Sequence, residues 1–433
     1  MTIFTNCTLL DGTREMEVRK NMTVCVDGQR VVKIQEGSEK NKRGEVIDLG
    51  GRFLMPGLIN MHAHLPSSGK PHKVEGDTAE VIQKGMSSKI GRYMMKKITY
   101  DSAKTQLMSG VTTVRTVGGL GDLDTEVRDE INAGKKIGPR ILAGNRAISV
   151  PKGHMAGMLA TIVTTKEEAV EMVRANKKEG VDLIKLMVTG GVMDATEPGE
   201  PGILRMSPEI IRAACDEAHR LGYKVAAHVE SREGVKAAIE NGVDTIEHGS
   251  ILTDELIKCF QKNHVAFICT ISPFIPMLHF SNEMDGLSEL LERNARIVFE
   301  GTTKGAQEAL ANGIPVGLGT DNGTPYLTNY NMWRELEYFT QFVGVSPAFA
   351  LHTATLVNAE IAGIADVTGS VEVGKSADFL ITEKNPLEDF SNMRDPYMVV
   401  MKGKVIRHPK IKKFKQYEEG LDRVRRQVCH GDV

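Results

Sequence analysis

The chain has one tryptophan among its 433 residues, six cysteines without a CxxC pair, and a formal net charge of only −2. No apolar run approaches the ~18 residues that would suggest a membrane-spanning helix, so none is expected. The near-neutral balance gives no electrostatic reason to expect nucleic acid or an anionic membrane as a partner. Cys7, Cys25, Cys215, Cys259, Cys269 and Cys429 are scattered, a pattern of free, mostly buried thiols rather than a disulfide framework. A reducing, cytoplasmic setting is the expectation. The opening MTIFTNCTLLDG lacks a basic stretch followed by a long apolar one and does not read as a secretory signal. No GxGxxG follows a first strand, which argues against an open dinucleotide-binding sheet.

Hydrophobic residues make up 41% of the chain and charged residues 25%, enough for a large core. Residues 1–56 read as short strands divided by Asp11-Gly12 and Asp27-Gly28. Residues 358–410 look alike. Few-stranded pieces cannot bury a face alone, so the two ends are expected to pair into one small β-sandwich domain. Two separate β appendages are the alternative. Between them, residues 57–357 alternate strand-like runs with longer helical ones. The strands fall at 54–65, 110–118, 140–149, 182–191, 224–231, 245–250, 266–273 and 316–323. Helical patterns include Lys166–Lys178, Ser207–Leu221 and Glu283–Ala311. Ser207-Pro208 suits a helix start and Gly222 a helix end. Eight β-then-α units predict an α/β fold, a parallel (β/α)8 TIM barrel. Residues 411–433 form a charged amphipathic tail, expected as a solvated surface helix.

Barrel chemistry sits at the C-terminal ends of strands. In FLMPGLINMHAHLPSS, His62 and His64 lie one residue apart, so both imidazoles leave their strand in one direction. The fourth strand, DLIKLMVTGG, carries Lys185 inside an apolar run. The fifth supplies His228, the sixth His248 and the eighth Asp321. Singly, each has an ordinary explanation: a strand-end histidine is usually a core or loop residue, and an Asp before Asn-Gly a turn residue. A lysine in an apolar strand is harder to dismiss, because burying an unpaired ammonium is costly. Together, four imidazoles and a carboxylate on one barrel face are enough for two metals with open positions. A bridging anion is then needed, and an ammonium cannot provide it.

These residues resemble the amidohydrolase superfamily of metal-dependent hydrolases. The likeness runs through MPGLINMHAH, IKLMVTGG, AAHVE, IEHGS, LGTDNG and VGKSADFLI, and so covers nearly the whole chain. KLMVTGGVMD and AEIAGIADVTGSVEVGKSADF are similar to the prolidase-like and Xaa-Arg/Xaa-Lys dipeptidase-like members. The resemblance implies two divalent metal ions, zinc foremost, one held by His62, His64 and Asp321 and the other by His228 and His248. It implies that Lys185 is carboxylated by CO2 into the bridging anion, and that a hydroxide between the metals is the nucleophile. Asp321 would then accept the hydroxide's proton and deliver it to the leaving amine. The substrate class implied is a small amide, a dipeptide or an N-acyl amino acid. Homo-oligomers are common in the superfamily.

Further positions carry two readings each. His154, in PKGHM, matches a Gly-His position that related dipeptidases place against the substrate carbonyl; a plain loop histidine is the alternative. Gly190 and Gly191 either admit a ligand close to the backbone or make a turn. Arg115 either forks a substrate carboxylate or pairs internally. Glu230 stands where related members often have a carboxylate-binding tyrosine. It favours a substrate with a cationic group or a free amine, or else orients a ligand histidine. Thr116 replaces an aspartate usual in relatives. Trp333, Glu335 and Tyr338 line a pocket wall or pack in the core, the second being the expectation. His72, His219, His264, His279, His352, His408 and His430 have no convergent partners and read as structural or surface residues. Hydrolysis of a cyclic amide and deamination of a heterocycle are alternatives within the superfamily. Lys185 argues against the mononuclear deaminases, which usually lack it. A non-catalytic scaffold is disfavoured because all six positions are intact.

Overall fold

Pro56 and Gly57 split the first predicted strand in two and send its halves to different sheets. The computed structural model describes residues 1–39, 44–70, 78–280, 289–323 and 326–429. His72, His430 and the predicted helical stretch at 283–288 lie outside the described residues.

Eight parallel strands close into a barrel: β1 (Leu58–Ala63), β2 (Val111–Thr116), β3 (Arg140–Leu142 and Ala147–Ser149), β4 (Leu183–Met187), β5 (Lys224–Val229), β6 (Thr245–His248), β7 (Ala266–Cys269) and β8 (Val316–Leu318). Each pairs with its neighbours in chain order. The ring closes just past β8, where the Asp321 N–H donates to the His62 carbonyl at 2.9 Å and the His64 N–H to the Asn322 carbonyl at 2.8 Å. Most strand residues are buried, as expected of parallel strands covered on both faces.

The 140–149 run is not continuous. Asn145 adopts a left-handed φ of 50°, which asparagine tolerates better than most residues. Its side-chain amide donates to Thr125 Oγ1 at 3.1 Å and to Glu179 Oε2 at 3.0 Å. The intervening backbone therefore leaves the ladder. The helix Pro208–Arg220 begins as the sequence suggests. Ser207 Oγ accepts from the Ile210 N–H, Pro208 takes the first turn, and Gly222 follows with a φ of 86°.

The chain ends share one eight-stranded sheet. Phe53–Pro56 pairs in parallel with Thr2–Leu9 on one side and antiparallel with Phe379–Thr382 on the other. The sheet encloses its own core, in which Phe4 meets Phe379 edge to face at 5.9 Å alongside Leu54, Val24 and Val400. This joint core rules out two independent appendages. The tail helix, Lys415–Cys429, corrects the expectation of a solvated element. Tyr417, Leu421 and Val424 enter the barrel's core, and Arg334 reaches Glu418 at 3.0 Å and Asp422 at 2.7 Å. Its charge-rich sequence hid an apolar face that docks through Tyr417, Leu421 and Val424.

Candidate active site

The strand ends bring the four candidate histidines around one centre. The ring centroids of His62 and His64 are 5.3 Å apart, those of His62 and His248 are 4.8 Å apart, and those of His228 and His248 are 4.8 Å apart. Asp321 Oδ1 lies 3.3 Å from His62 Nε2 and 3.1 Å from His64 Nε2. All four rings are buried.

Each imidazole is anchored from outside through one nitrogen. His62 Nδ1 donates to Glu247 Oε2 at 2.8 Å, His64 Nδ1 to the Gly118 carbonyl at 2.9 Å, and His228 Nε2 to the Gly190 carbonyl at 2.8 Å. His248 Nδ1 shares a hydrogen bond with Thr270 Oγ1 at 2.7 Å. A carbonyl or carboxylate can only accept, so the tautomers of the first three rings are fixed. The opposite nitrogen keeps its lone pair, which is how metal-binding histidines are usually oriented. Burial holds His228 and His248 well below the usual imidazole range, in the neutral form a ligand needs.

Lys185 projects from β4 into this ring. Its side chain is among the largest fully buried ones, and Nζ has no hydrogen-bond partner. Burial lowers its pKa from 10.5 to about 8, against the attraction of Glu247 and Asp321. Burial would raise the Asp321 carboxyl, but His62, His64 and His248 hold it well below the usual range. It is therefore ionised.

Two backbone departures aim the site. His248 and Asp321 have φ values of 68° and 52°, in a region rarely occupied by residues other than glycine and often used at functional sites. In a regular strand, Glu247 and His248 would face opposite sides. The left-handed turn at His248 lets both reach His62. Gly319 makes room for β1, since a Cβ there would lie 2.5 Å from the His62 backbone nitrogen.

Arg115 is turned inward, which corrects its candidacy for substrate carboxylate. Nε donates to the Met61 carbonyl at 2.6 Å, Nη1 to Thr245 Oγ1 at 3.2 Å, and Nη2 to Glu247 at 2.7 and 2.8 Å. Burial would raise the Glu247 carboxyl, but Arg115 and His62 hold it far below the usual range. Glu247 stood inside the TIEHGS motif without a role; only the left-handed turn beside it reveals one.

His154 lies against the ring. It stacks on His228 at 4.1 Å, and its Nδ1 pairs with Asp194. Gly191 makes that position available, because a Cβ there would lie 2.1 Å from His154 Nδ1. The backbone of Gly190 is engaged by His228 and by the Ile203 carbonyl. Both glycines therefore shape the site through its histidines. Asp194 was not a sequence candidate; it lies forty positions from His154, on a different loop.

Glu230 turns inward beside His228, with its Oε1 3.9 Å from His228 Nε2. Burial raises its carboxyl well above the usual range. Thr116 Oγ1 accepts from the Gly144 N–H at 3.0 Å and so ties β2 to the break in β3. Glu335 accepts from the backbone N–H groups of Ile271 and Ser272 at 2.7 and 2.8 Å, supporting the loop after β7. Trp333 and Tyr338 pack in the core. His219 pairs with Asp244 at 2.9 Å, His352 donates to the Gly12 carbonyl at 2.9 Å, and His408 packs on Tyr397. His264 caps a helix, and His279 ends the short helix Phe274–His279.

The donor set fits divalent metal. Donor atoms of His62, His248 and Asp321 lie within 4.8 Å of one another, as do those of His228, Glu230 and His248. Neutral imidazoles and carboxylates suit zinc and its first-row neighbours. Lys185 Nζ is buried and unpartnered, with Glu247, Asp321 and Glu230 among the charges that act on it.

A closed parallel barrel with oriented imidazoles at its strand ends is a site that could hold metal ions. The sequence pattern of the amidohydrolase family matches residues 53–406, and the chain belongs to that family. A Bifidobacterium longum protein described as a candidate prolidase is 37% identical, with a TM-score of 0.86 over 98% of both chains. The structure of a Xaa-Pro dipeptidase with bound methionine is 29% identical, with a TM-score of 0.81 over 94% of this chain and 99% of that one. Ochratoxinase from Aspergillus niger is 26% identical over 373 residues, 80% of this chain and 73% of the relative. The chain is a hydrolase. Among the described residues, no helix is long and apolar enough to cross a membrane.

Proposed function

We propose that the chain hydrolyses the amide bond of a dipeptide or an N-acyl amino acid. The observation that carries this reading is the unpartnered, buried Lys185 Nζ inside a ring of oriented imidazoles. In this reading His62, His64 and Asp321 hold one divalent ion, zinc foremost, and His228 and His248 hold the other. The neutral Lys185 amine attacks CO2. A nitrogen–carbon bond would form, one proton would leave, and the resulting carboxylate would offer the ions an anionic ligand that an ammonium cannot. Bound ions of this kind supply hydroxide near neutral pH and polarise a carbonyl.

Asp321, ionised in this setting, takes the proton released as the nucleophile attacks. It then passes that proton to the amide nitrogen, which leaves poorly unless protonated. His154 faces the substrate carbonyl, with Asp194 fixing its ring. The similarity to a Xaa-Pro dipeptidase and to ochratoxinase supports an amide as the substrate.

The test is a screen of dipeptides, N-acyl amino acids and lactams with metal-replete protein. Turnover of dipeptides or N-acyl amino acids, abolished by a chelator, is expected. Turnover of lactams or heterocycles alone would overturn the substrate assignment.

A further inference from the structure

Glu230 has no role in the mechanism above, yet its carboxyl group faces the site with an oxygen left unpartnered. Its side chain is 5% exposed, and Oε2 is buried without a hydrogen-bond partner. Of the nearby groups that could compensate it, Arg115 and His228 are engaged elsewhere. Arg115 is committed to Glu247, and the Nε2 proton of His228 is directed to the Gly190 carbonyl. Lys185 Nζ makes no hydrogen bond, and once carboxylated it adds an anion instead of a cation. Among the described residues, no lysine or arginine pairs with Glu230. A buried carboxylate without a counter-charge is costly, and removing water makes the deficit larger. The neighbours it does have are His228 and His248, whose donor atoms lie within 4.8 Å of its own and of each other. Two neutral imidazoles and a carboxylate are a sufficient protein ligand set for a catalytic ion with an open position.

We propose that Glu230 is a direct ligand of the ion held by His228 and His248, so that this ion stays bound when Lys185 is not carboxylated. The proposal rests on the two-ion reading above and adds a third protein ligand to one half of it. The carboxylate then has its counter-charge, and occupancy of this half no longer depends on CO2.

The experiment titrates chelator-stripped protein with Zn2+ and, in parallel, with Co2+ followed by visible absorption. Wild type, E230Q, K185A and the double variant are compared, with circular dichroism as the fold control. Wild type should take up two ions. E230Q should bind one of them at least tenfold more weakly, with an altered Co2+ spectrum; even partners outside the ligand shell typically change affinity by about 10–100-fold. K185A should keep one ion, which the double variant loses. If E230Q does not fold, E230D takes its place with the same expectation, because the shorter side chain withdraws the oxygen. Wild-type affinity for both ions and an unchanged Co2+ spectrum in the Glu230 variant would overturn the proposal. So would intact metal binding with a raised KM for substrates bearing an amine, which would make Glu230 a substrate contact. Wild-type protein that takes up no ion would overturn the two-ion reading itself, and the two failures are thereby distinguished.

Discussion

His62 donates its Nδ1 proton to Glu247 at 2.8 Å, and this one contact connects the candidate metal centre to the barrel's buried ion pair. Glu247 is fully buried and forked by Arg115. Replacing it with glutamine leaves the guanidinium without a counter-charge. Glu247→Gln should lower stability by about 3–5 kcal/mol, the usual effect of removing one partner of a buried pair. It should also weaken metal binding by roughly 10–100-fold through misorientation of His62. Chemical denaturation and metal titration measure the two effects, and an unchanged result in both would show that the contact is idle.

Carboxylation of Lys185 needs the free amine. Burial lowers the lysine pKa from 10.5 to about 8, so the neutral fraction is small well below pH 8 and dominant well above it. Reactivation of decarboxylated protein by bicarbonate and metal should therefore speed up as pH rises through about 8. Lys185→Ala should lose nearly all activity, and a short-chain carboxylic acid should restore part of it. Substantial activity in Lys185→Ala without additives would remove the bridging role.

Much of this site could be read from the chain because its signals are local. His62 and His64 are two apart on a strand, and Lys185 breaks an apolar run. His228, His248 and Asp321 follow strand patterns directly. The eight βα units were legible for the same reason: parallel strands are short, apolar and evenly interrupted. What escaped depends on backbone conformation or on distant loops. The left-handed turn at His248 brings Glu247 to His62, and no periodicity predicts it. Asn145 breaks β3 through its side-chain bonds to Thr125 and Glu179, which are remote in sequence. Arg115 carries two readings in the sequence because its partner, Glu247, lies more than a hundred residues away. The tail helix departs from the expectation of a solvated element because its charges outnumber the few apolar residues that dock.

Gly191 tests the position of His154. A Cβ at this residue would fall 2.1 Å from His154 Nδ1, against the pair with Asp194. Gly191→Ala should cut kcat/KM by on the order of 100-fold, as small displacements of reacting groups do, while the melting temperature changes little. Asp194→Asn should give a smaller loss in the same direction. Steady-state kinetics beside thermal melts separates this from general unfolding.

The tail helix should be part of the fold's stability. Leu421 is 3% exposed and packs in the barrel's core. Leu421→Ala should destabilise by about 2–5 kcal/mol, read as a shift in the denaturation midpoint. A shift near zero would mean that the helix is peripheral.

The metal content of the purified chain bears most directly on the account. Protein from a culture supplied with zinc and manganese, freed of loosely bound ions and analysed by elemental mass spectrometry, should hold close to two divalent ions per chain. Dialysis against a chelator should remove them together with amide hydrolysis, and re-addition should restore both. Less than half an ion per chain, or hydrolysis that persists in the stripped protein, would contradict it.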